Sequence, residues 1–61
     1  MTPAELTAAG QALWGDDWRQ RMPAELGVNR VTVWKWETGM HPVPELAARF
    51  LRLLVSVQSS S

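Results

Sequence analysis

Apolar positions along the chain recur at helical spacing, with no sustained period-two alternation and no isoleucine, and glycines divide them into short segments. Thr2-Pro3-Ala4-Glu5 opens the first segment. A Thr cap, Pro at the first helical position and Glu three residues after the Thr predict a capping box. Leu6, Ala9 and Leu13 then share one face, and Gly15 is the stop. Gly10, inside this segment, costs a helix about 1 kcal/mol against alanine, so a close crossing with another helix is expected there. A second helix is predicted from near Trp18, capped by Asp16 or Asp17, with Trp18, Met22 and Leu26 on one stripe. Pro23 removes the hydrogen bond to the carbonyl of Arg19, which predicts a kink or a regular part that begins near Pro23. Gly27-Val28-Asn29 reads as a turn, with Val28 inward and Asn29 as the next cap. A third helix over 30–38 turns Val33 and Trp36 inward and stops at Gly39. Met40-His41-Pro42-Val43 leads to a last helix opened by Pro44 and Glu45.

The last helix carries more apolar surface than one contact needs. At 100° per residue, its apolar side chains from Leu46 to Val57 cover an arc of roughly 200°, about twice the stripe of a helix packed on one core. Glu45, Arg49, Arg52 and Ser56 share the remaining face, with Glu45 and Arg49 ordered for an i, i+4 pair. Leu46, Phe50, Leu53 and Val57 are expected to close the core of a single copy. Ala47, Leu51 and Val55 are then left as a dimer interface. The alternative is a helix buried in the middle of its own bundle. Gln58 to Ser61 reads as a frayed end, so the expected organisation is one domain over 1–57 and a disordered end over 58–61.

The chain has 61 residues, which allows one domain of marginal stability. It has no cysteine and one histidine, which excludes disulfides, thiolate zinc sites and nearly every histidine-built metal site. No cofactor is expected, no small-molecule pocket is apparent, and self-association is the remaining means of stabilisation. No apolar run approaches the roughly 20 residues of a membrane span. The opening MTPAELTAAG lacks the basic and then apolar stretches of a signal peptide, so a cytoplasmic protein is expected. No nucleophile in recognisable context and no glycine-rich phosphate loop is present, so the chain reads as a binding protein rather than an enzyme. Its net charge of zero hides a segregation. Residues 1–17 carry three acids and no base, residues 18–35 carry four bases against Glu25, and residues 36–61 balance. The basic third lies mid-chain, as a localised footprint for a polyanion.

That third contains WRQRMPAELGVNRVTVWKWETG, from Trp18 to Gly39. Buried positions at Met22, Leu26, Val28, Val33 and Trp36 around a glycine turn form the helix-turn-helix pattern. Leu26 and Val28 must pack on Val33 and Trp36 to lock two short helices near a right angle, leaving the far face of the second free for a major groove. The run LG-V-N-R-x-T-V-x-x-W-E-x-G, with the preceding Trp and the following P-V-P, resembles the DNA-binding domains of the lambda-repressor/Cro-like family. It is most similar to small phage and bacterial regulators with a G-x-x-W lead-in, over roughly residues 13–54. The resemblance implies an all-α, compact bundle of four to five helices, homodimeric operator binding and transcriptional repression. Two positions depart from it. Pro23 stands where the family usually has alanine. The glutamate matching Glu37 commonly pairs with an arginine on the first helix, and none is present there, leaving Arg21 or Gln11 to substitute.

With Val33 and Trp36 inward, the outward positions name candidate DNA contacts. Arg30 is placed to read a guanine edge, Asn29 an adenine unless its cap role holds it, and Val31 a thymine methyl. Trp34 is an outward tryptophan that DNA sugars or methyls would cover, or else protein packing. Lys35 and Thr32 are phosphate candidates. The resemblance adds Arg19 and Gln20, and His41 in the loop is a further backbone candidate or simply solvated. A protein-interaction module or antitoxin-like partner that keeps the same helix pair is the competing reading.

Overall fold

A computed structural model describes residues 1–60. It is all-helical, with no strand among the described residues. Helix α1 spans Pro3–Trp14, a 3-10 turn covers Gly15–Asp17, and α2 (Trp18–Leu26), α3 (Arg30–Glu37) and α4 (Glu45–Ser60) follow. The capping box is present in both directions. The Thr2 amide donates to Glu5 Oε1 at 2.8 Å, and the Glu5 amide donates to Thr2 Oγ1 at 3.1 Å. These bonds hold the Glu5 carboxyl below its ordinary pKa. Gly27 adopts the left-handed conformation (φ 70°) that turns the chain from α2 to α3.

Helix α1 is the hub. It packs on α2, α3 and α4, while α2 also packs on α3. Leu6, Trp18, Met22, Val33, Trp36 and Leu51 form the buried cluster, with Leu13, Trp14, Leu26 and Val28 partly buried against it. The crossing expected at Gly10 is there, since a Cβ at this position would meet Trp18 Cε3 at 2.5 Å. The Trp18 Nε1 proton has no partner among the described residues, a cost the burial of the large ring has to exceed. The radius of gyration is 10.6 Å, matching the roughly 10.5 Å of a packed chain this long.

Three expectations are corrected. Of the two outcomes expected at Pro23, the restart does not occur, since α2 runs from Trp18 through Pro23 to Leu26. The proline ring is buried, so its contacts with the core offset the single backbone bond it forgoes. Helix α4 continues through Gln58 to Ser60, past the point where a frayed end was expected, and Ser61 lies outside the described residues. The largest correction is the rotation of α4. Leu51, placed at a dimer interface by pattern, is 0% exposed in the core of the single chain, and Ala47 and Val55 are half-buried beside it. Leu46 (80% exposed), Phe50, Leu53 and Val57, expected in the core, face outward instead. The reason is side-chain size. The small Ala47 and Ala48 flank Leu51 on the buried side and let it sink into the cluster, whereas the bulkier Leu46 and Phe50 stay outside.

Candidate nucleic-acid interface

Helix α3 sits with Val33 and Trp36 buried, the orientation its apolar spacing demands. Its opposite face is therefore open. Asn29 and Arg30 are exposed, Val31 is 60% exposed and Trp34 is 51% exposed. Thr32 and Lys35 are half-buried along its flanks. Asn29 occupies the cap position, but its side chain makes no capping bond. Its carbonyl alone accepts the amides of Thr32 and Val33, at 3.1 and 3.3 Å. The amide side chain of Asn29 is thus not held by the helix start, and the cap role does not account for it.

The electrostatics of this face are set from α2. Arg19 Nη2 donates to Glu37 Oε2 at 2.7 Å, and Arg19 Nε donates to Oε2 and Oε1 at 3.0 and 3.1 Å. The same guanidinium lies 4.7 Å from the centroid of the Trp18 ring. The hydrogen bonds to Glu37 raise the already high pKa of Arg19, so its guanidinium stays charged throughout the working pH range. Neither Arg21 nor Gln11 is the partner of Glu37. Arg19, considered as a phosphate contact, is an internal brace between α2 and α3, and any phosphate must share its guanidinium with Glu37. The two ion pairs among the described residues, Arg19–Glu37 and Arg49–Glu45, leave Arg30 and Lys35 outside them. Glu37 is the sole acid on α3, so its neutralisation leaves the helix with a net positive face.

Arg19, Arg30, Val31, Val33, Trp34 and Glu37 surround an open cleft of about 440 Å³. The structure therefore gathers Arg30, Val31 and Trp34 with Arg19 around one feature. Gln20 lies exposed on the first turn of α2 and outside that lining. His41 is exposed and lines a separate recess with Met1, Pro3, Trp36 and Gly39. Sequence reasoning singled out Glu37 but missed Arg19 as its partner. A signal for that partnership was present, since Arg19 follows the inward Trp18 directly and so emerges beside α3.

Among the described residues, no three His, Asp or Glu side chains gather as a metal site, and no helix is long and apolar enough to cross a membrane. Comparison with protein-family models, curated proteins and solved structures finds no match.

Proposed function

We propose that the chain is a sequence-specific, double-stranded DNA-binding regulator in which α2, the Gly27 turn and α3 act as a helix-turn-helix. Two copies read an inverted-repeat operator, and occupancy represses transcription. The observation that carries this reading is the outward face of α3. It presents Arg30 and Lys35 uncompensated, while its only acid is neutralised by Arg19. Arg30 contacts a guanine edge, a pairing worth about 1–3 kcal/mol of discrimination. Asn29 and Val31 face neighbouring base edges. Trp34 covers its exposed ring on sugars or methyls, and Lys35, Thr32 and Gln20 hold phosphates. His41 has no shared cleft with these residues and contributes to backbone contact only at the margin.

Selection from a pool of random duplexes tests the proposal. An inverted repeat is expected to be enriched, and Arg30→Ala should weaken binding to the selected site far more than to random duplex. Equal losses on both would remove Arg30 from base readout, and no enrichment would remove the function. A second reading, a protein-interaction module on the same helix pair, draws on the zero net charge and the half-exposed Trp34. It predicts no enrichment.

A further inference from the structure

Val31 and Trp34 are the large apolar side chains that α3 leaves open, and both border the cleft that Arg30 also lines. At 100° per residue Arg30, Trp34 and Val31 fall in that order within an arc of about 100°. From Arg30 to Trp34 the helix rises about 6 Å, while bases step about 3.4 Å along a strand, so this arc addresses adjacent base pairs. Among the described residues the acid in the cleft wall is Glu37, and both of its carboxylate oxygens already accept from Arg19. The wall therefore combines one free guanidinium, two bare apolar surfaces and no free carboxylate.

We infer that α3 reads a C5-methyl group on the pyrimidine beside the guanine held by Arg30, and that methylation of a cytosine there raises binding as thymine does. The reading rests on the DNA-binding proposal and adds to it a chemical mark, because the affinity of a cytosine–guanine site then depends on DNA methylation. The chemistry of the groove supports it. Guanine presents two acceptors to Arg30, whereas cytosine and adenine present exocyclic amine donors, for which this wall holds no free carboxylate. The apolar group that the base edges of a major groove offer is the pyrimidine C5-methyl. Val31 and Trp34 gain only where water leaves both their surface and the group that covers it. Thymine and 5-methylcytosine carry that methyl at the same place in the groove. The cleft is open, so the amine of 5-methylcytosine stays hydrated while its methyl is covered.

Fluorescence anisotropy on the duplex enriched from the random pool tests the methyl reading. The pyrimidine beside the guanine is varied as thymine, uracil, cytosine and 5-methylcytosine, each opposite its complementary base. Uracil lacks only the methyl of thymine, so thymine should bind roughly fourfold tighter in each half-site, the factor supplied by burying one methyl-sized group. 5-Methylcytosine should exceed cytosine by a similar factor. Val31→Ala combined with Trp34→Ala should abolish both differences with the far-ultraviolet circular dichroism unchanged, because both side chains lie outside the core. Lys35→Ala should weaken all the duplexes alike and preserve both differences. Equal binding of thymine and uracil overturns the inference, as do differences that survive the double variant. A preference for thymine with no gain from 5-methylcytosine overturns methylation as the signal. A protein that binds every duplex equally loses this inference and keeps DNA binding, whereas one that binds none of them loses both.

Discussion

At the scale of single residues, a relay of four residues ties three helices together. Gly10 makes room on α1 for the Trp18 indole, Arg19 lies over that indole, and Glu37 on α3 grips Arg19. Gly10→Ala is expected to destabilise the chain by about 1–3 kcal/mol through overpacking. This holds even though alanine is the better helix former by about 1 kcal/mol. Urea denaturation checks it, and a variant as stable as the parent contradicts the crossing. The Arg19–Glu37 pair is exposed on its arginine side, where solvent screens it, and contributes little to stability. Its larger consequence is the charge of α3. Arg19→Ala should weaken duplex binding severalfold by releasing the Glu37 carboxylate, and Arg19→Ala with Glu37→Gln should recover most of the loss in fluorescence anisotropy. If Arg19 gripped phosphate directly, the second substitution would recover nothing.

At the scale of elements, the starts and stops of the helices are local and the faces they bury are not. The capping box of α1 and the left-handed glycine after α2 need only neighbouring residues, and both are in place. Helix α4 divides into a buried side centred on Leu51 and an open side along Leu46, Phe50, Leu53 and Val57. Leu51→Ala should cost about 2–5 kcal/mol, the range for a truncated core leucine. Leu53→Ala should stay within about 0.5 kcal/mol in dilute solution. Thermal melts of the two variants decide it, and equal losses would return Leu53 to the core. Sequence periodicity identified the apolar arc of α4 but inverted its use. A 200° arc has no unique inward direction until the helix has a neighbour, and here the buried side is the one on which the small Ala47 and Ala48 flank Leu51.

At the scale of the whole molecule, the proposed DNA binding would have to come from the arrangement of charges alone, because the chain has no net charge. Three acids lie before residue 18, and two of the cations outside the ion pairs, Arg30 and Lys35, lie on α3, so the molecule offers a polyanion a local positive face with little long-range steering. Binding should therefore fall with salt through counterion release, by a slope of about −0.9 in log K against log salt for each phosphate contacted. Lys35→Ala should reduce the magnitude of that slope by about one and weaken selected and random duplexes alike. Anisotropy titrations at several salt concentrations measure it, and a salt-independent affinity contradicts the phosphate assignments.

By itself the sequence determined the all-helical character, the Thr2 cap, the Gly27 turn, and the inward set of Trp18, Met22, Val33 and Trp36. Each of these depends on residues within a turn or two of one another, where spacing and backbone stereochemistry act directly. Only the tertiary structure decided that Arg19 holds Glu37, that Asn29 leaves its cap bond unmade, and which side of α4 is buried. Those outcomes depend on how closely separate helices approach, and that distance is set by side-chain volumes meeting across the core rather than by any pattern along the chain.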